Sequence, residues 1–450
     1  MAIFMSFGNS PTPTGVLNAR RVMNPSYIDL ASVEYIVSNT SIAEAWKKVK
    51  SNKGAPGVDK ITIEQFPKWG RPKWKLIKHQ VKAGNYQPMP ARRVEIPKEP
   101  EGVRLLGIPC VLDRVLMQSI AQVLSDMFNP TFSRHSYGYM PGRSVLQAAL
   151  QAQGFYQQGY TYQVDIDLEK FFDTVNHDIL MDRIGRKVKD KGLMKLLGSF
   201  LRAGVVVNGR LQATKLGVPQ GSPVSPILSN ILLDELDAEL EGRGHRFVRY
   251  ADDVAIFVKS KRAGERVLAS ISRFLEQKLK VKVNKAKSKV SRVKDSSVLG
   301  FKVHGKKLKT LDSKVKIFKR KLKRITRRCS GISIDSRIVD LKQYIQGWMA
   351  HYGCGLKYND AVELDGWIRR RLRMCYWKQW RRPKRRIGQL IRLGVNKRDA
   401  ISIGLSRKSY WRMSKTLATN CGLSNSHFEE IGLISIRTLW CKIHHPATAR

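Results

Sequence analysis

The chain has 450 residues, with 82 Lys and Arg against 36 Asp and Glu, which gives a formal net charge of +46 at pH 7. Charge on this scale is typical of proteins that bind a polyanion such as nucleic acid. No apolar run is long enough to span a membrane or to serve as a secretory signal, and the six cysteines lack the rhythm of a disulfide framework, so we predict a cytoplasmic protein.

The first 30 residues show no periodic pattern, which predicts a weakly ordered leader over 1–30. A loop rich in Gly and Pro follows at 52–59 and indicates a turn. Farther along, Lys98 and Arg104 flank a Glu-Pro-Glu-Gly turn. A hairpin there can close both side chains onto phosphate groups, Arg as a fork and Lys as a point charge. An ordinary solvated basic pair is the alternative.

A short acidic strand is predicted at 162–168, where apolar and polar residues alternate. Alternate side chains of a strand point to opposite faces, so one face is apolar and the other carries Asp165 and Asp167. Segments with helical periodicity follow at about 176–189, 223–241 and 265–280, and then a short strand at 281–283.

Between the second and third of these helices, Asp252 and Asp253 stand at the bend between two runs of β-branched and aromatic residues, the pattern of a hairpin. An isolated acidic pair in a hairpin is ordinarily a solvated turn. The earlier acidic strand and the basic background favour a metal site instead, because hard divalent cations take carboxylate ligands. Polymerases and nucleases hold two metal ions in this way.

The last third of the chain combines apolar stripes with basic runs. Val315, Phe318, Leu322 and Ile325 predict one helix of a small bundle. Ten Lys or Arg residues between 368 and 386 are interleaved with aromatic residues, which suits contact with RNA, although bundle core is the commoner place for the aromatics Tyr376, Trp377 and Trp380. Cys441, His444 and His445 lack the second cysteine pair that a zinc site needs.

Taken in order, these segments resemble the group II intron-encoded reverse transcriptases, most closely the compact bacterial subclass that lacks an endonuclease domain. The likeness extends from about residue 40 to about 440. The segments at 92–98 and 103–109 match the fingers of that family. The segments at 162–168, 217–226, 250–253 and 299–301 match its palm. Those at 347–352 and 367–375 match its thumb or maturase domain.

The resemblance implies an α+β fold of the right-hand polymerase type. Fingers and a palm with an antiparallel sheet of split β-α-β plan would precede a helical thumb and a small basic C-terminal DNA-binding region. The predicted boundaries are a leader at 1–30, an N-terminal extension with a template-covering loop at 31–60, fingers and palm at 61–305, a thumb or maturase domain at 306–395, and a DNA-binding region at 396–450.

For the active site, the resemblance implies that Asp167, the carbonyl of Leu168 and Asp252 bind Mg, with Asp253 as a supporting catalytic carboxylate. The family places an aromatic residue five positions after the metal-binding acid, and Phe172 stands in that relation to Asp167. Asp165 lies on the same face and fits this spacing less well.

Substrate contacts are implied in the same way. Phe172 would exclude nucleotides with a 2′-hydroxyl, and Lys98 and Arg104 would bind the triphosphate. Gln220, Gly221, Tyr250 and Lys285 complete the predicted substrate-binding set. The chain departs from the family at Ser222, where glycine is usual, and at Met140, where arginine is usual.

The function implied is an RNA-directed DNA polymerase that also binds intron RNA to assist splicing and mobility. Its partners would be intron RNA, an RNA template with a DNA primer, target DNA and dNTPs, with no membrane. Two alternatives stay open, a maturase acting mainly as an RNA-binding splicing cofactor and a domesticated reverse transcriptase used in DNA repair or phage defence.

Overall fold

The computed structural model describes residues 31–97, 103–305 and 307–445. They form two compact units that alternate along the chain. Of the described residues, the first unit is drawn from those within 31–139, 168–239 and 273–283, and the second from those within 140–167, 240–272 and 284–445. The predicted leader at 1–30 and Lys98 lie outside the described residues.

The described strands and helices fit the predicted α+β class. The strands are β1 Ala91–Pro97, β2 Val103–Ile108, β3 Tyr162–Ile166, β4 Val205–Val207, β5 Arg210–Gln212, β6 Arg246–Tyr250, β7 Asp253–Val258, β8 Lys289–Arg292, β9 Phe301–His304 and β10 Lys307–Thr310. The helices before residue 280 are α1 Val33–Ile36, α2 Asn39–Ser51, α3 Phe66–Lys82, α4 Val111–Phe128, α5 Val145–Gln157, α6 Phe171–Thr174, α7 His177–Gly185, α8 Lys191–Arg202, α9 Ser225–Gly242 and α10 Lys261–Gln277. The later helices are α11 Asp312–Ile325, α12 Ile334–Tyr352, α13 Tyr358–Gln379, α14 Pro383–Arg392, α15 Lys397–Gly404, α16 Tyr410–Met413, α17 Leu417–Gly422, α18 Asn425–Glu430 and α19 Ile436–His444. None of these helices combines the length and the apolar character that a membrane span needs.

The first unit holds a four-stranded sheet in the order β2-β1-β4-β5. The predicted turn at 52–59 is fixed to this unit by two arginines, since Arg92 Nε donates to the carbonyl of Pro56 at 3.1 Å and Arg114 Nη2 donates to that of Ala55 at 2.7 Å. These bonds satisfy main-chain carbonyls that the loop itself cannot pair.

The second unit contains the sheet that carries the acidic residues, in the order β6-β7-β3-β8 with all neighbours antiparallel. The predicted acidic strand and hairpin are confirmed as β3, β6 and β7. The predicted strand at 281–283 is wrong, because Val283 makes only an isolated bridge and the fourth strand is β8. Val281 and Val283 are buried, so the apolar pattern there reports packing of side chains and not a strand ladder.

Helix α10 lies so close to the sheet that only glycine fits at one of its positions. A Cβ added to Gly264 would lie 2.6 Å from Val290 Cγ1 and 3.4 Å from methyl groups of Val164 and Val258. Valine is stiff at χ1, so the contact can be relieved only by moving the helix or the strand.

We expect Gly264→Ala to destabilise the protein by about 1–3 kcal/mol, the usual cost of overpacking a core. Gly154→Ala is the matched control, because Gly154 lies in α5 with nothing within 4 Å of an added Cβ. That change should be neutral or stabilising by up to about 1 kcal/mol. Chemical unfolding of both variants tests this, and equal midpoints would contradict the close packing of α10.

Helices α11 to α19 build an apolar core of their own in the second unit. The predicted stripe on α11 is confirmed, with Phe318 and Leu322 buried and Val315 and Ile325 packed against the core. The rings of Trp377 and Trp380 are also buried there. Of the two interpretations that the sequence left open for these tryptophans, bundle core, the commoner one, is confirmed, and stacking of their rings on RNA is not.

Candidate active site and nucleic-acid interface

Two aspartates on β3 have different environments. The carboxylate of Asp165 accepts hydrogen bonds from Gln163 Nε2 and from Ser296 Oγ, the latter at 3.0 Å, and burial raises its pKa. The side chain of Asp167 is 37% exposed, and its Oδ2 lies 3.8 Å from Lys287 Nζ. The carboxylate of Asp165 is therefore occupied by hydrogen bonds within the protein, although Asp165 is only half-buried, whereas Asp167 presents its carboxylate to solvent.

The main chain of Asp167 is held in place from both sides. Its amide donates to Ser288 Oγ at 3.1 Å, and its carbonyl accepts from the amide of Asn284 at 2.8 Å. The ion pair with Lys287 is exposed and is worth less than about 1 kcal/mol, so an incoming cation can displace the ammonium group easily.

The second acidic pair sits in a tight hairpin. Tyr250 pairs with Asp253, which leaves Ala251 and Asp252 as a two-residue connection. Ala251 has φ of +57°, as the first central residue of a type II′ turn does. The buried Arg249 donates from Nη1 to the Ala251 carbonyl at 3.1 Å and stabilises this bend.

Strand register brings the two acidic segments to the same edge of the sheet. Ile166 on β3 pairs with Val254 on β7, so Asp167 and Asp253 flank the same cross-strand pair. Residues opposite each other in an antiparallel sheet have Cβ atoms about 5 Å apart. The sheet thus gathers carboxylates from segments more than eighty residues apart in the sequence.

A cavity of about 660 Å³ in the second unit adjoins this edge. Asp165, Asp167, Asp253 and Tyr250 line it together with four lysines, Lys287, Lys289, Lys302 and Lys314. Carboxylates facing lysines suit a substrate that brings both phosphate groups and cations. Lys285 is exposed and is not among the lining residues, so the basic residues at the cavity are the next alternate positions, 287 and 289.

The carboxylates at this edge are too few to enclose a metal ion by themselves. Across the described parts of the chain, no cluster of three or more His, Cys, Asp or Glu could hold a metal by itself. A sparse set of hard oxygen donors fits a cation that keeps its waters and shares substrate phosphates, as Mg²⁺ does, better than one that needs an all-protein cage. Leu168 is buried and bridges to Val283.

Predicted nucleotide contacts lie in the first unit. A cavity of about 160 Å³ there is lined by Phe172 and Gln220 together with Arg93 and Leu105. The amide of Val218 donates to the carbonyl of Phe172 at 2.6 Å, which fixes α6 against the segment that carries Gln220.

Arg104 is not brought to this cavity. It is exposed and pairs with Ile96, on the face of β2 opposite to Leu105. The residue of the hairpin that lines the cavity is Arg93, which the sequence analysis did not single out. The two residues that depart from the family pattern, Met140 and Ser222, are buried.

A second basic feature lies in the helical bundle. A cavity of about 420 Å³ is lined by Met374 and six cationic residues, which are Arg320, Lys323, Arg324, Arg327, Arg328 and Arg371. Arg371 is 9% exposed and donates to Thr326 Oγ1 at 2.6 Å and to the carbonyls of Lys323 and Thr326 at 3.2 Å, so it caps the end of α11. The exposed side chains of Lys323, Arg324, Arg327 and Arg328 leave this basic cavity open to an anionic partner.

Comparison with known proteins gives two family matches. The reverse transcriptase (RNA-dependent DNA polymerase) family matches residues 96–303, and the group II intron, maturase-specific domain matches residues 315–394.

Three similar proteins illustrate the relationship. Protein YkfC of Escherichia coli is 31% identical, over 57% of this chain and 78% of YkfC. The putative COX1/OXI3 intron 2 protein of Saccharomyces cerevisiae is 32% identical, over 58% of this chain and 37% of that protein. The group II intron-encoded protein LtrA of Lactococcus lactis is 35% identical, over 43% of this chain and 32% of LtrA. The match thus spans about a third of each intron protein.

Proposed function

We propose that this chain extends a DNA primer along an RNA template with dNTPs and binds intron RNA through its maturase domain. The chain belongs to the reverse transcriptases that carry a group II intron maturase-specific domain and is therefore an RNA-directed DNA polymerase. The observation that carries the first part is the gathering of Asp167 and Asp253 at one edge of the sheet, beside a cavity lined by lysines.

Asp167 and Asp252, with the carbonyl of Leu168, are the groups proposed to hold Mg²⁺, and Asp253 adds negative charge at the same edge. When bound, a pair of divalent cations stabilises the attacking and leaving oxygens of an in-line displacement. The primer 3′-hydroxyl attacks the α-phosphate, and pyrophosphate leaves.

The protein contributes chiefly position and charge to this reaction. Ser288 and Asn284 fix the main chain of Asp167, and Lys287 balances its carboxylate until substrate arrives. The lysines of the 660 Å³ cavity are proposed to attract the phosphates of the primer strand. Lys285 belongs to the same basic segment.

Selection of the nucleotide is assigned to the first unit. Phe172 is proposed to stand where a bulky ring collides with a 2′-hydroxyl, which favours dNTPs over NTPs. Gln220 and Gly221 are proposed to contact the nascent base pair. Lys98 and Arg104 stay the predicted triphosphate ligands from the sequence, but Arg93, which lines the same cavity as Gln220, is the better placed cation, because Arg104 lies on the opposite face of its strand. Tyr250 lines the cavity beside the carboxylates, where it can contact the substrate.

A primer-extension assay tests this proposal. With a DNA primer on an RNA template, we expect extension with dNTPs and at least about a hundredfold lower efficiency with NTPs, because binding a nucleotide with one clashing group costs several kcal/mol. Equal use of dNTPs and NTPs would remove the role of Phe172. A failure to extend any primer on RNA, with magnesium present, would overturn the polymerase proposal.

Binding of intron RNA is supported by the basic cavity of the bundle, whose cations are separate from the residues around Asp167. This separation also suits a maturase that assists splicing without DNA synthesis. Target DNA is proposed to contact the basic C-terminal region at 396–450. RNA binding by a variant without polymerase activity distinguishes the two roles.

A further inference from the structure

The turn that carries Gln220 is fastened to helix α4 by the hydroxyl of Ser222. Ser222 is 4% exposed, and its Oγ lies 3.1 Å from the Sδ of Met117. A hydroxyl donates to a thioether sulfur, which is a weak acceptor. The same Oγ accepts a hydrogen bond from the amide of Val224 at 3.4 Å. Both roles of the hydroxyl are therefore filled inside the protein.

The turn is also held at two other points. The amide of Gly107 on β2 donates to the carbonyl of Gln220 at 2.8 Å, and Ser225 Oγ donates to the carbonyl of Pro219 at 2.8 Å. Gly221 has φ of +107°, as the third residue of a type II turn does. An added Cβ there would lie 2.9 Å from the Gly107 carbonyl oxygen. The main chain of Gln220 is thus fixed between β2 and α4.

We propose that Ser222 is a positioning residue for nucleotide selection, because its bond to Met117 fixes where Gln220 meets the incoming nucleotide. This inference rests on the proposed function, in which Gln220 contacts that nucleotide. Ser222 touches no substrate and acts through the turn. A glycine at this position would have no hydroxyl to reach α4.

Steady-state primer extension with varied dNTP concentration tests the role of Ser222. Ser222→Ala should raise KM for dNTP about threefold to tenfold, the range that corresponds to one hydrogen bond, and change kcat by less than about twofold. Met117→Leu keeps the volume and removes the acceptor, so it should give the same rise. The double variant should show no rise beyond either single variant, because both changes break the same bond.

Ser229→Ala is the matched control. Ser229 lies on α9, is 2% exposed, and its hydroxyl has no hydrogen-bond partner among the described residues. The KM of this variant for dNTP should equal that of the unaltered protein.

An unchanged KM in Ser222→Ala, additive effects in the double variant, or an equal rise in Ser229→Ala would overturn the inference. If Ser222→Ala fails to fold, Met117→Leu decides alone, and an unchanged KM there overturns it. Absence of primer extension by the unaltered protein would instead refute the proposed function, so the two failures are distinguishable.

Discussion

Replacement of Asp252 by alanine is expected to abolish DNA synthesis on an RNA template, with a fall in the rate of primer extension of at least about a thousandfold. The carboxylate stands in the connection between β6 and β7 and is proposed to hold the cation that stabilises charge on the reacting oxygens. Such charge stabilisation is usually the largest single contribution to catalysis. Single-turnover primer extension measures the loss.

Binding of intron RNA should survive this change, because the cations of the basic cavity are far along the chain at 320–371. Persistent extension by the Asp252→Ala protein would contradict the assignment of the metal site. Loss of RNA binding together with extension would indicate misfolding instead.

The two aspartates of β3 provide a sharper comparison. Asp167→Asn should be inactive, since a neutral amide lacks the negative charge with which a carboxylate binds Mg²⁺. Asp165→Asn should keep most of the activity. Burial already raises the pKa of Asp165 and so favours its neutral form, and an amide there can accept from Gln163 Nε2 through its oxygen and donate to Ser296 Oγ through its nitrogen. An equal loss of activity in both variants would contradict the assignment of Asp167, rather than Asp165, as the metal ligand.

The sequence predicts the sheet well because its signals are local. Alternation over 162–168 and the apolar runs around Asp252 each specify a strand within a few residues, and β3, β6 and β7 follow. The prediction of a strand at 281–283 is wrong because it, too, rests on a local signal. Three residues with two buried valines satisfy a strand pattern, but nothing within that segment specifies which neighbour it pairs with.

Distant partners explain what the sequence leaves open. Asp165 and Asp167 share a face, and their contacts with Ser296 and Lys287, more than a hundred residues later, help to tell them apart. Asp113 is similar. It is buried, it accepts from Tyr86 Oη at 2.6 Å, and burial raises its pKa to about 7. A pattern of neighbouring residues carries no information about such contacts.

The aromatic residues of the bundle show a different limit. Basic residues surround Trp377 in the sequence, which favours RNA contact, yet its ring is fully buried and its Nε1 donates to Thr419 Oγ1 at 3.0 Å. Helical geometry sends charged and apolar side chains of one segment to opposite faces. Composition of a segment therefore predicts its partner and not which side chains make the contact.

Removal of two cations from the basic cavity is expected to weaken the binding of intron RNA by about tenfold at physiological salt. Each phosphate contact contributes about 0.7 to the slope of log affinity against log salt for single strands, and about 0.9 for duplex DNA. Lys323→Gln with Arg324→Gln should therefore reduce the slope by about 1.4 if both side chains contact single-stranded phosphates. Filter binding or fluorescence anisotropy over a series of salt concentrations measures the slope.

The matched control is Lys316→Gln with Lys319→Gln, on the same helix α11. Both lysines are exposed, and neither lines the basic cavity. The two double variants have the same net charge, so they experience the same long-range attraction to RNA and differ only in direct contacts. If both lower the slope equally, RNA senses the charge of the whole protein. If only the cavity variant does, the open end of α11 is a specific site for the phosphates of the intron, and the maturase role has a physical location apart from the carboxylates that make DNA.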